Sequence, residues 1–261
     1  MQEGRVVLVT GSSSGIGLAV ARGAAAEGAR VFVHGLDARE VGKAAAELGV
    51  PSLALDLARP ESGVVLVEAV LAAYGRIDAV ANNAGVYPRA TLEQTETAFF
   101  DRVMAINARA PVFIAQRAVQ AFRAQGTGGT IVNVGSVNAY SGQPDLLAYS
   151  MSKGALMTAT RNMADALGPD RIRVNQLNVG WTLTETEIET QRKAGRPDDW
   201  PARVPRVFAP SGSILTPEAV AEHVLFWLSD RSAPITGQVY EVEQFPVIGR
   251  QVMSRLFASD S

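Results

Sequence analysis

Short β-branched runs alternate with alanine-rich stretches of helical spacing along almost the whole chain. The runs at 5–10 (RVVLVT), 30–34 (RVFVH), 52–56 (SLALD), 78–83 (DAVANN), 129–136 (GTIVNVGS), 171–178 (RIRVNQLN) and 237–242 (GQVYEV) read as strands. Between them, 17–28, 62–75, 98–122, 147–167 and 217–230 show helical spacing or helix-favouring composition. Strands separated by single helices are βαβ crossovers, which build a parallel sheet covered on both faces. The pattern therefore predicts an α/β chain, one doubly wound domain over 1–261 with about seven parallel strands and helices on both faces. The alternation stops between Thr182 and Gly212, where the sequence is charged, proline-punctuated and without a strand pattern. A stretch that long in a compact domain is usually a lid or binding loop, so 182–212 is expected to be a substrate lid. The tail 243–261 follows the last strand.

Composition narrows the class of function. The 261 residues are 47% hydrophobic and 19% charged, which suits a sizeable core rather than disorder. A net charge of −2 gives no pull toward nucleic acid or an anionic membrane. No apolar run approaches the roughly 20 residues of a membrane span, and the N-terminus has no signal-peptide pattern, so a cytoplasmic protein is expected. With no cysteine there is no disulfide framework, thiolate zinc site or cysteine nucleophile. Two isolated histidines argue against a metal cluster, and no metal is expected.

Two segments carry chemistry. In TGSSSGIG (10–17), between the first strand and first helix, Gly11, Gly15 and Gly17 permit tight turning and close backbone approach. The helix N-terminus beyond offers unpaired N–H groups to a pyrophosphate, although the same turn also serves as a plain βα loop. In LLAYSMSKGAL (146–156), Tyr149 and Lys153 fall one turn apart on one helix face. A phenol with a pKa near 10 is a poor base at neutral pH, and a neighbouring ammonium is expected to lower it toward acid–base use. By themselves the two residues equally fit a surface aromatic–lysine contact. Ser136 ends a strand, where open α/β sheets bind ligands, so its hydroxyl is a candidate to orient a substrate oxygen, an ordinary turn serine being the alternative reading. Asn107 is polar inside an apolar helical stretch, where a helix–helix hydrogen bond is the alternative reading.

These segments, with NNAG at 82–85, IVNVGS at 131–136, RIRVNQLNVGWTLT at 171–184 and ITGQVYEV at 235–242, resemble the motifs of the short-chain dehydrogenase/reductases, in order and spacing over nearly the whole chain. The resemblance implies a Rossmann-type domain, a nicotinamide cofactor (NAD or NADP), a small-molecule alcohol or carbonyl substrate, and a homotetramer or homodimer. It implies a catalytic set of Asn107, Ser136, Tyr149 and Lys153, in which the asparagine distorts its helix and holds a water joining the lysine to solvent. It places the cofactor on Gly11, Ser13, Ser14, Gly15, Ile16, Gly17, Leu36, Asp56, Leu57, Asn83, Gly85, Tyr149, Lys153, Thr182 and Thr184. The 98–122 and 147–167 helices are the subunit faces by the same analogy.

At the tip of the second strand, VHGLD (33–37) has Gly35 where the family carries an acid for NAD and Leu36 where it carries an arginine for NADP. An apolar Leu36, with no basic residue in Ser12–Ser14, favours NAD; Arg39 is the residue that would spoil this. His34 is expected to be a packed strand-end residue and His223 helix surface or interface. Two departures stand out: Val179–Gly180 replaces the usual Pro-Gly, and EVEQFPVIGR replaces the frequent V-D-G-G. Arg89, Ser136, Asn138, Gln143 and Tyr149 mark a polar substrate pocket, with Glu185, Glu187, Arg192, Lys193 and Arg196 on the lid. Such a pocket suits a sugar, polyol or sugar acid. The alternatives are an NADPH-dependent 3-oxoacyl or general carbonyl reductase, or a dinucleotide-binding regulator without catalysis.

Overall fold

The computed structural model describes residues 3–140 and 142–248. Seven strands form one parallel sheet: β1 (Val6–Val9), β2 (Arg30–Gly35), β3 (Ser52–Ala54), β4 (Ala79–Asn82), β5 (Gly129–Ser136), β6 (Ile172–Val179) and β7 (Val239–Val242). Their spatial order is β3-β2-β1-β4-β5-β6-β7. The chain starts at the centre, winds outward to β3, then crosses back to β4. This reversal opens a crevice beyond the carboxyl ends of β1 and β4, the place where doubly wound sheets bind ligands.

Strand residues alternate between two helical layers because successive side chains leave opposite faces of a strand. Val6 and Leu8 point to the layer of α3 (Ser62–Tyr74), α5 (Ala110–Gln125) and α6 (Leu147–Leu167), where Leu66, Ile114, Phe122 and Ala164 complete the core. Val7 and Val9 point to α1 (Gly15–Ala26), α2 (Ala38–Leu48) and α8 (Pro217–Leu228), meeting Val20, Val41 and Leu225.

All seven strands and five helical stretches stand where the hydrophobic pattern places them. Two helices do not appear in that pattern. α2 buries only Val41, Ala44 and Ala45 and is bounded by the Asp37 cap and left-handed Gly49. The second, α7 (Glu185–Lys193), lies within 182–212 and buries no apolar side chain, only Glu187 and Gln191, so no hydrophobic period announces it. It is specified instead by its ends: Thr184 accepts from the Glu187 N–H, acids fill the first turn, and Arg192 and Lys193 the last. The segment 182–212 is therefore structured. Trp200, Ala209 and Ile214, packed on by Trp181, Leu183 and Val204, give it a small core of its own.

The stretch read as one helix over 98–122 is interrupted. α4 (Thr97–Met104) passes through a π turn, Ala105–Arg109, before α5 begins. Among the described residues no helix is long and apolar enough to cross a membrane, and none cluster as metal ligands.

Candidate active site

Because β1 lies beside β4, the glycine turn after β1 meets the NNAG segment after β4. Asn83 donates from Nδ2 to the carbonyls of Thr10 (2.9 Å) and Gly11 (3.1 Å), and the Thr10 hydroxyl accepts the N–H groups of Asn83 and Ala84. The approach is too close for side chains. A Cβ on Gly17 would strike the Gly11 carbonyl and the Asn83 amide, and one on Gly11 would stand 2.9 Å from Ala84 Cα. At the start of α1, the Ser14 side chain makes no capping bond, and Ser13 packs against Gly35. A backbone cradle opening on an uncapped helix N-terminus fits a dinucleotide pyrophosphate.

The catalytic candidates converge beyond β4, β5 and α6. Ser136, the last residue of β5, stands beside the Tyr149 phenol, where its side chain favours the ionised form. Its Oγ also accepts the Asn138 N–H at 3.2 Å, which fixes its rotamer. Lys153 is 4% exposed, donates from Nζ to the Val134 carbonyl at 2.8 Å, and lies 5.8 Å from the centre of the Tyr149 ring. Asn107 sits in the π turn. Its Oδ1 accepts the Val86 N–H at 2.8 Å, and its Nδ2 donates to the Val86 carbonyl and the Ser152 hydroxyl. Asn107 Oδ1 and Lys153 Nζ flank Gly85, each 3.4 Å from where a Cβ would stand. A π turn at a functional residue is a common device, since the wide turn redirects backbone groups out of the helical ladder.

The electrostatics differ from the sequence expectation of a lowered phenol. Burial pushes Tyr149 up to about 12, the Ser136 side chain opposing it. Burial likewise brings Lys153 down to about 8. Loss of water is the leading cause for both groups, and the phenol is neutral at pH 7.

Tyr87, not among the sequence candidates, stands beside Tyr149. Its ring packs edge-on against Tyr149 with centroids 6.1 Å apart, and its hydroxyl lies near the Thr184 and Thr190 side chains, which favour its ionised form. Burial, and then the Glu187 carboxylate, raise its pKa. An aromatic residue two places after NNAG was the available signal. Thr184 caps α7 and lies beside Gly15, 3.3 Å from where a Cβ would stand, so the segment after β6 reaches the glycine turn; Thr182 is buried with its hydroxyl on the Gly180 carbonyl.

Other candidates are placed differently. Arg89 is held at the rim by Asp145 (2.8 Å) and Gln143 (3.2 Å), so its charge is already paired. Asp56 pairs with Arg102 at 3.2 Å, and Leu57 is buried in the core. Leu36 is 63% exposed and Arg39 is exposed on α2. Of the lid charges, Arg192 pairs with Asp198 and Lys193 with Glu189, whereas Glu187 is buried and accepts from Trp181 Nε1 (2.8 Å) and Gln191 Nε2 (2.6 Å). His223 is exposed with its ring 5.5 Å from Tyr240. The variant tail has a visible role: Glu243 accepts the Trp181 N–H at 3.1 Å, and Gln244 bonds Ser211 and Ser213. Residues 249–261 of that tail lie outside the described residues.

A family model described as enoyl-(acyl carrier protein) reductase matches residues 11–244. The 2-(S)-hydroxypropyl-CoM dehydrogenase 3 of Xanthobacter autotrophicus is 33% identical, the match covering 92% of this chain and 96% of that protein. The chain belongs to the short-chain dehydrogenase/reductase family. Like other members it is an NAD(P)-dependent oxidoreductase acting on CH–OH groups. Two solved structures of this family are similar over nearly the full chain. L-sorbose reductase from Gluconobacter frateurii, complexed with NADPH and L-sorbose, has a TM-score of 0.86 at 32% identity, covering 93% of this chain and 97% of that one. A 3-ketoacyl-(acyl-carrier-protein) reductase from Brucella melitensis, complexed with NADH, has a TM-score of 0.83 at 29% identity, covering 93% and 98%. One of these relatives was crystallised with NADPH and the other with NADH.

Proposed function

We propose that this enzyme interconverts a secondary alcohol and ketone on a polyhydroxylated substrate, a sugar, polyol or sugar acid, with NAD as cofactor. The observation that carries the mechanism is the gathering of Ser136, Tyr149 and the buried Lys153, whose Nζ lies 5.8 Å from the Tyr149 ring centre. Bound nicotinamide supplies the hydride acceptor or donor. Ser136 holds the substrate oxygen, and Tyr149 gives that oxygen a proton during reduction or removes it during oxidation. Lys153, with a pKa of about 8, exchanges its own proton near neutral pH, which suits a relay toward solvent past Asn107. Gly11, Ser13, Ser14, Gly15, Ile16 and Gly17 hold the pyrophosphate, and Thr182 and Thr184 face the nicotinamide end.

Support for NAD comes from the tip of β2, where exposed Leu36 offers no partner to a 2′-phosphate. Support for a polar substrate comes from Tyr87 beside Tyr149, with the Thr184 and Thr190 side chains near its hydroxyl. The relative crystallised with L-sorbose is consistent with this choice, and the relative named for a ketoacyl substrate marks the competing reading. The lid 182–212 closes the site, and the α5 and α6 faces, with Phe113 and Met151 exposed, join subunits into a homodimer or homotetramer.

A screen of polyols, ketoses and sugar acids with both cofactors tests the assignment. Turnover only of lipophilic ketones or acyl thioesters would refute the substrate class, and an NADP preference would refute the Leu36 argument. Tyr149→Phe is expected to lower kcat by roughly 10²–10⁴, the usual scale for a lost general acid. Unchanged turnover would sink the mechanism.

A further inference from the structure

His34, the penultimate residue of β2, is 2% exposed and spans two parts of the crevice. Its Nδ1 accepts the Gly11 N–H at 3.2 Å, and its Nε2 lies 3.0 Å from the Leu55 carbonyl. A carbonyl can only accept, so Nε2 carries the proton and Nδ1 presents its lone pair to Gly11. Burial brings the imidazole down to about 4, so this neutral tautomer holds throughout the neutral range. The backbone repeats the link: Ser12 N–H donates to the His34 carbonyl at 2.7 Å, and His34 N–H donates to Ser12 Oγ at 3.0 Å. Gly11 is the left-handed residue that turns the chain away from β1, and Leu55 directly precedes Asp56.

We propose that His34 is a positioning residue for cofactor binding, a brace whose Nδ1 holds the glycine turn by the Gly11 N–H while the Leu55 bond fixes its tautomer. Asn83 anchors the opposite side of the same turn, so Gly11 is held between β2 and the NNAG segment. The brace acts through the shape of the turn, before cofactor arrives, and has no part in proton transfer. It rests on the reading of the glycine turn as the pyrophosphate site.

Three variants separate bracing from packing. In His34→Asn, Oδ1 takes the place of Nδ1 and keeps an acceptor for Gly11. His34→Gln reaches the Nε2 position and keeps only the Leu55 bond, and His34→Leu keeps neither. Kd for NAD, read by titration of nucleotide fluorescence or heat, is expected to rise about tenfold in the Gln and Leu variants, the scale of one lost buried hydrogen bond, and to stay within about threefold of wild type in Asn. At saturating cofactor, kcat and substrate KM stay within about twofold in all of them. Equal Kd in Leu and wild type would overturn the brace, as would an Asn variant weakened as much as Gln. Should the Leu variant fail to fold, the Gln–Asn comparison decides. Wild-type protein that bound neither NAD nor NADP would instead overturn the pyrophosphate site itself.

Discussion

Lys153 is a place where catalysis and stability pull in opposite directions, and replacing it by methionine measures the difference. The ammonium is buried, and its pKa falls from 10.5 to about 8 through loss of water alone. At about 1.4 kcal/mol per pH unit, the folded state carries a penalty of about 3 kcal/mol for keeping that charge at pH 7. Methionine removes the penalty and adds about 1–2 kcal/mol of apolar burial. Against this, the Val134 carbonyl loses its donor, a cost of roughly 1–3 kcal/mol. The expected balance is about 2 kcal/mol in favour of Lys153→Met, a Tm rise of roughly 4–8 °C for a chain of this size, with turnover abolished. The sign with pH follows from the lowered folded pKa. Between about 8 and 10.5 the unfolded chain holds more protons than the folded one, so wild-type stability rises through that window. The advantage of the variant is therefore full below pH 8 and fades as pH approaches 10.5. Urea unfolding of both cofactor-free proteins at fixed protein concentration, stepped from pH 7 to 10, reads it directly. A methionine variant less stable at pH 7, or a difference that does not change with pH, would refute the reasoning.

Two further substitutions test the crevice and the lid. Gly17→Ala pushes a methyl into the Gly11 carbonyl and the Asn83 amide, so cofactor Kd should rise at least about tenfold while far-ultraviolet circular dichroism is retained; unaltered binding would show that the turn accommodates a Cβ. Glu243→Ala frees the Trp181 N–H at the base of the lid, and substrate KM should rise several-fold with cofactor Kd unchanged, as steady-state kinetics would show.

Legibility followed the source of each signal. Strands buried on both faces advertise themselves as apolar runs, the partly exposed edge strands β3 and β7 still carried short apolar patterns, and helices with an apolar stripe followed. α7 could not be placed from sequence: its buried positions are Glu187 and Gln191, held by Trp181 and each other, and no hydrophobic period marks such a helix. The candidate quartet could be named because its residues stand in motifs that resemble the family's, whereas Tyr149 and Lys153 alone also fitted a surface contact. Tyr87 was overlooked because its contact with Tyr149 joins residues remote in sequence.

What the sequence determined by itself is local and periodic: the alternation of strand and helix, the glycines that turn after β1, the family motifs and the residue types available for proton transfer. Tertiary structure decided everything that depends on burial and on pairs distant along the chain. Water is removed only when layers close, so the rise of Tyr149 and fall of Lys153 appear only in the fold. His34 likewise became more than a packed strand end once the order β3-β2-β1 set it between Gly11 and Leu55. A side chain's chemistry is written in its identity, but its solvation and its partners are properties of the assembled sheet.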